Sequence, residues 1–181
     1  KADAELLLSK CRKEGRVTVQ KMERKEKAES PPQLYDLTAL QRDANRLLGF
    51  TAQQTLDYAQ SLYEKRLITY PRTDSRFLTE DMAASLPGLV TATGEAFAVE
   101  EPIPIHVQQV INGSKVTDHH ALLITENLPE GLSKDEQAIY EMVAARLLEA
   151  FFPHCVKEMT EVALSAGGEI FTLKSAVIKS A

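Results

Sequence analysis

Leu67-Ile68-Thr69-Tyr70-Pro71-Arg72-Thr73-Asp74-Ser75 is the stretch around which this 181-residue chain is organised. A short apolar run ends in a tyrosine. A proline, an arginine and three small polar residues follow. Proline lacks an N–H and pushes the residue before it into extended geometry. Tyr70 is therefore expected at a strand end or loop start, with its hydroxyl presented. Arg72 lies two residues on, hence on the same side of an extended chain. A phenol beside a guanidinium suits attack on a phosphodiester, because the fork-shaped cation can hold phosphate oxygens while the phenolate acts as nucleophile. Tyr-x-Arg alone is common, and equally serves as packing at a strand end. The neighbouring segments decide between the two.

Upstream, the pattern is helical. Thr51-Ala52-Gln53-Gln54 is a capping box. The helix it opens carries Leu56, Ala59, Leu62 and Tyr63 to about Lys65. Before it, Thr38-Ala39-Leu40-Gln41 reads as another capping-box start, with a helix to Leu48 closed by Gly49. Two helices joined by a tight Gly-containing turn, then a short strand, outline a winged helix-turn-helix unit. Such units often bind nucleic acid and are also common as plain structure.

Downstream, Thr79-Glu80-Asp81-Met82 is expected to open a helix that Pro87-Gly88 ends. Residues 91–105 read as loop, residues 105–111 as a short strand, and Asn112-Gly113 as a turn. Then comes Thr117-Asp118-His119-His120-Ala121-Leu122-Leu123-Ile124-Thr125. Paired histidines beside an aspartate suit acid–base chemistry, phosphate contact or metal ligation, and equally the capping of a buried element. Adjacent side chains diverge and no second cluster has ligand spacing, which argues against metal. Ser133-Lys134-Asp135-Glu136 is a third capping box. It opens the longest helix, to about Phe152, with Ile139, Met142, Val143, Leu147, Ala150 and Phe151 on its buried side and Pro153 as its stop.

The two ends of the chain differ from this middle. Residues 2–14 read as a helix stopped by Gly15, and residues 16–22 alternate as a strand. Residues 23–30 are nearly all charged, a solvated strand end or linker. Pro31-Pro32 marks a boundary. Residues 156–178 hold two alternating segments broken by Gly167-Gly168, hence a hairpin. The expected class is α+β and mainly helical. A winged-helix-like tyrosine domain (34–153) is inserted between antiparallel β segments (1–33 and 154–181) of one discontinuous domain.

Composition sets outer limits. The chain is 44% hydrophobic and 26% charged, with a net charge of −5. That argues against duplex DNA binding through a broad basic surface. It leaves room for a site with a few well-placed cations. Cys11 and Cys155, far apart, form neither a disulfide framework nor a zinc signature. No apolar run is long enough to cross a membrane, so a reduced, cytoplasmic setting is expected. A chain that starts without Met and stops mid-pattern reads as a piece of something larger.

Taken together, Leu34-Tyr35-Asp36-Leu37-Thr38-Ala39-Leu40-Gln41, Leu62-Tyr63-Glu64-Lys65, Ile68 to Ser75 and His119-His120-Ala121-Leu122 resemble the type IA DNA topoisomerases, in that order and at that spacing. The resemblance covers roughly residues 16–178. Proline after the tyrosine and the double histidine are more similar to the bacterial topoisomerase III branch. It implies that Tyr70 is the nucleophile, attacking one strand to form a 5′-phosphotyrosyl link and free a 3′-hydroxyl. A second strand passes through the gap and the break is resealed, without ATP. Arg72 matches the arginine on the scissile phosphate, His119 an active-site supporting histidine, and Glu64 an acidic residue near the tyrosine. Gln41, Arg42, Thr73, Asp74, Ser75 and His120 match the region facing single-stranded DNA. The β segments would belong to the strand-passage gate.

A free tyrosine has a pKa of about 10 and needs a cation or base beside it. The family supplies the rest from a separate toprim domain, whose acidic residues bind Mg²⁺. No Asp-x-Asp cluster for that task occurs in this chain, so no metal site and an inactive isolated fragment are expected. Arg66 stands where the family usually has glycine, which puts the turn into the strand in question. Ile124 stands where it usually has proline. A winged-helix regulator would have no use for the Tyr70 stretch. A relaxase would need His-hydrophobic-His metal ligands, and a tyrosine recombinase a C-terminal tyrosine with arginines upstream.

Overall fold

The computed structural model describes residues 2–180. Its elements run α1 (Ala2–Glu14), β1 (Thr18–Glu29), α2 (Leu37–Leu48), α3 (Ala52–Glu64), α4 (Leu86–Ala96), α5 (Lys134–Glu149), β2 (Cys155–Ala166) and β3 (Glu169–Ser180), with short 3-10 turns between α3 and α5. The chain divides into two compact units. One comprises the residues up to Ser30 and those from His154 onward; the other is Pro31–Pro153.

The first unit is α1 and a three-stranded antiparallel sheet in the order β1-β2-β3. Gly15 ends α1 with φ +65 and bonds back to the Cys11 carbonyl (3.1 Å). The charged run at 23–30 is strand to Glu29, since alternation tolerates Lys and Glu where both faces meet water. Gly167 and Gly168, at φ +60 and +78, make the hairpin turn. A side chain at Gly167 would come within 2.9 Å of the Lys10 and Cys11 backbone, so α1 sits directly on this turn.

The second unit holds the core. Leu40, Ala44, Ala59, Leu62, Leu78, Val90, Ile139 and Leu147 are fully buried. Both capping boxes at Thr51/Gln54 and Ser133/Glu136 form, and Gly49 closes α2 at φ +74. Arg146 of α5 bonds Asp43 (2.8 Å) and the Tyr35 hydroxyl (3.0 Å), with its guanidinium 3.8 Å above the Tyr35 ring. Burial pushes the Tyr35 hydroxyl well above its ordinary pKa.

Five local expectations need correction. Helix α2 starts at Leu37, because the Asp36 carboxylate reaches the Ala39 amide (2.6 Å) and caps the helix ahead of Thr38. Pro87 lies in the first turn of α4, where its missing N–H has no helical partner to lose, so it begins a helix instead of ending one. That helix runs to Ala96, through residues expected as loop. Residues 107–109 form a 3-10 turn in place of a strand. Extended pairing in this unit is confined to three isolated bridges: Tyr35 with Leu122, Ile68 with Ile124, and Leu78 with Ile111. The strand expected after the α2–α3 pair is thus one bridge long.

Candidate active site

The Tyr70 stretch is strung between α2 and the 119–125 segment. Thr69 N–H donates to the Leu123 carbonyl (2.9 Å), and Leu123 N–H donates to Thr69 Oγ1 (3.0 Å). Four residues further, Thr73 Oγ1 donates to the His119 carbonyl (2.9 Å). These ties sit at matching antiparallel positions, as does the Ile68–Ile124 bridge. Leu37 N–H donates to the Thr73 carbonyl (3.0 Å), and Arg76 Nε donates to Asp36 Oδ2 (2.7 Å), fastening the loop to the start of α2. The bonds flanking Ile68 and Ile124 run through Thr69, Leu123, Thr125 and Leu67. The Ile124 N–H carries none of them, so this pair asks nothing of it that a proline would lack.

Burial alternates along the stretch. Pro71, Thr73 and Ser75 are buried, Arg72 and Asp74 are exposed, and Tyr70 is half-buried. This alternation sets Arg72 and Asp74 on the outward side, in period with Tyr70. The Tyr70 ring lies 4.4 Å from that of His119, tilted by 48°, and 5.3 Å from that of Tyr63, nearly edge-on at 77°. Such offset and edge-to-face pairs fix ring orientation and add about 0.5–1.5 kcal/mol each. The nucleophile candidate is thus clasped between an imidazole and a second phenol.

The other expected site residues fall in different places. His119 is exposed with its ring on Tyr70. His120 is half-buried, and its Nδ1 lies within hydrogen-bond distance of the Ala121 carbonyl (2.8 Å). Arg72 and Arg42 are exposed and, among the described residues, without hydrogen-bond or ion-pair partners. Glu64 is exposed and accepts from Gln60 Nε2 (3.0 Å). The residue before it, Tyr63, meets the Tyr70 ring. Gln41 Nε2 donates to the Ala52 carbonyl (3.0 Å) and ties the α2–α3 turn. Asp74 accepts from Thr117 Oγ1 (3.2 Å). Thr73 and Ser75 are only 6% and 4% exposed. Ser75 Oγ donates to the Lys115 carbonyl (2.9 Å), so both hydroxyls serve the loop.

Two contributors carry no signal in a linear pattern. Tyr63 reaches Tyr70 from the far side of a helix-to-strand turn. Glu136 of α5, 8% exposed, accepts from Ser61 Oγ (2.5 Å) and Lys65 Nζ (2.6 Å) at the end of α3. The Lys65 ammonium and the Ser61 hydroxyl hold its carboxyl at about 2, against an ordinary 4.5. This clamp sets the last turn of α3 and so the place of Tyr63. Among the described residues, no three His, Cys, Asp or Glu side chains converge as a metal site. Among the described residues, no helix is long and apolar enough to cross a membrane.

The family model described as DNA topoisomerase matches residues 1–181. DNA topoisomerase 3 of Shouchella clausii is 37% identical over 175 residues, covering 91% of this chain and 24% of that protein. DNA topoisomerase 3 of Bacillus subtilis is 40% identical over 163 residues, covering 82% of this chain and 22% of that protein. The structure of full-length topoisomerase I from Thermotoga maritima has a similar fold, with a TM-score of 0.68 and 24% identity over 98% of this chain and 30% of that one. The chain belongs to the type IA DNA topoisomerase family. These two relatives are topoisomerase 3 proteins, and the chain spans about a quarter of their length.

Proposed function

We propose that this chain is the nucleophile-bearing segment of a type IA topoisomerase that changes DNA topology by single-strand passage. Tyr70 attacks a phosphodiester of single-stranded DNA. Its O–H bond breaks, a P–O bond forms to the phenolic oxygen, and the bond to the 3′-oxygen breaks. The 3′-oxygen takes a proton, and the reverse attack reseals the strand. The phosphotyrosine conserves the bond energy, so no ATP is consumed. Arg72, exposed and unpaired beside Tyr70, binds the scissile phosphate as a fork. His119 orients the phenol and serves as the proton-network partner.

The observation that carries this proposal is the Tyr63–Tyr70–His119 clasp beside the free guanidinium of Arg72. Arg42, His120, Asp74 and the outer end of α2 line the path of the strand. Thr73 and Ser75 act by holding the loop, which is where their buried hydroxyls point. Glu64 acts through the end of α3. We read α2 and α3 with the Ile68–Ile124 bridge as a reduced winged-helix unit, and the sheet unit as part of the gate, a discontinuous domain. A toprim domain elsewhere in the full-length protein supplies the metal-binding carboxylates and Mg²⁺, which stabilises charge at the phosphate when bound. The setting is the bacterial cytoplasm, on the nucleoid.

The test joins this chain to a toprim partner with Mg²⁺ and traps 5′-linked DNA after denaturation. The joined protein forms the adduct, while the chain alone neither forms it nor relaxes supercoiled DNA. An adduct that survives Tyr70→Phe shows the nucleophile to be misassigned.

A further inference from the structure

A side chain with a Cβ enters the left-handed backbone region only under strain. Among the described residues other than glycine, Arg66 (φ 61) and Ala98 (φ 51) do so. Arg66 closes α3. Leu67 N–H donates to the Leu62 carbonyl (2.9 Å) and Arg66 N–H to the Tyr63 carbonyl (2.8 Å). Leu62 and Leu67, the apolar pair that accompanies such a closure, are both buried. This is a Schellman turn, and Arg66 occupies its glycine position.

The strain is contained by two bonds to the Arg66 carbonyl, from Thr125 Oγ1 (2.6 Å) and Asn127 Nδ2 (2.8 Å). Both act on the backbone. The Arg66 side chain adds nothing to the fold: it is exposed and, among the described residues, has no hydrogen-bond or ion-pair partner. Glycine would build the same turn without strain. A strained residue whose side chain is idle in the fold points to work at the surface.

The electrostatics narrow what that work is. Residues 31–153 hold seventeen Asp and Glu against nine Lys and Arg. Arg46, Lys65, Arg76 and Arg146 are tied to carboxylates. Of the five that have no carboxylate partner among the described residues, Arg66, four residues before Tyr70, and Arg72, two after it, flank the nucleophile in the chain. Tyr63, bonded through its carbonyl to the Arg66 amide, exposes 40% of its surface next to Tyr70.

We propose that Arg66 and Tyr63 form a nucleotide subsite beside Tyr70, Arg66 contacting a backbone phosphate of the single strand and Tyr63 stacking an adjoining base. The proposal rests on the single-strand reading above. A guanidinium grips phosphate in a planar fork, and a half-exposed tyrosine accepts any base on its face.

The test titrates a fluorescein-labelled oligothymidylate into the wild-type chain, Arg66→Gly, Arg66→Lys and Tyr63→Leu at several salt concentrations, with thermal melts of each. Arg66→Gly weakens binding and lowers the slope of log affinity against log salt by about 0.7, the share of one phosphate contact. Its melting temperature holds or rises, because glycine relieves the left-handed residue. Arg66→Lys keeps the slope. Tyr63→Leu weakens binding about tenfold at unchanged slope. Wild-type affinity and slope in Arg66→Gly overturn the subsite, as does a loss of affinity that comes with a lowered melting temperature. A wild-type chain that fails to bind at low salt overturns the single-strand reading itself, and the subsite with it.

Discussion

Glu136→Gln tests the clamp that places Tyr63. The carboxylate takes three bonds: Ser61 Oγ and Lys65 Nζ on one oxygen, and the Ser133 N–H (2.8 Å) on the other. A glutamine amide cannot reproduce this set. Its carbonyl can face either Ser133 or the Ser61–Lys65 pair, and its NH₂ then opposes a donor. The magnitude follows from proton affinity. A carboxyl held at about 2 against an ordinary 4.5, at about 1.4 kcal/mol per tenfold change, gives ionised Glu136 an upper limit of ~3.5 kcal/mol. Lys65 is 39% exposed, and solvent screening brings the expected loss to about 2 kcal/mol. For a unit of this size that lowers the melting temperature by roughly 6–8 °C.

The pH dependence gives a second handle. The folded value is depressed, so the stabilisation is present above pH 4.5 and is lost as pH falls towards 2. Urea melts of wild type and Glu136→Gln, followed by circular dichroism, separate at pH 7 and converge as pH drops through that window. Curves that coincide at pH 7, or that stay equally far apart down to the lowest pH, refute the reasoning.

Two further perturbations probe other parts. Thr73→Val keeps shape but leaves the Ser75 amide and the His119 carbonyl without their partner; about 1–3 kcal/mol of stability is lost, and the nuclear Overhauser contact between the Tyr70 and His119 rings weakens. An unchanged melt and an unchanged ring contact would count against the loop's role in setting the clasp. Gly167→Ala forces a Cβ against the Lys10 and Cys11 backbone at φ +60, so it costs about 2 kcal/mol or more; hydrogen exchange speeds up in β2 and β3, and equal protection in the variant would disprove the tight seat of α1.

Local chemistry made much of this fold legible. The capping boxes at Thr51 and Ser133 need only residues three apart, and both form. Gly15, Gly49 and the Gly167-Gly168 pair mark turns because no other residue takes those backbone angles without strain. Asp36 beat Thr38 to the helix cap because its carboxylate also meets Arg76, a partner forty residues away that no local pattern shows. Pro87 could end one helix or begin the next, and only tertiary packing decides. At the site, alternation put Arg72 on the Tyr70 side, and the His119-His120 pair was visible as a motif. What stayed hidden were contacts across turns: Tyr63 on Tyr70, Glu136 on Lys65, and the Thr125–Asn127 grip that lets an arginine sit in a glycine's place.

The paired ties of Thr69 to Leu123 and of Thr73 to His119 act as a ruler with two equal arms. Three residues separate the marks on each strand, Tyr70-Pro71-Arg72 on one and His120-Ala121-Leu122 on the other. Lengthening either arm by one residue would turn its side chains over and carry the phenol or the imidazole to the wrong face. The excursion from Arg76 to Asp118 is tied at other places, by the Leu78–Ile111 bridge and by buried Leu86 and Val90, and between those ties exposed residues such as 100–102 meet no register. Insertions and deletions in descendants of this chain should therefore collect in those exposed residues after α4 and spare both arms.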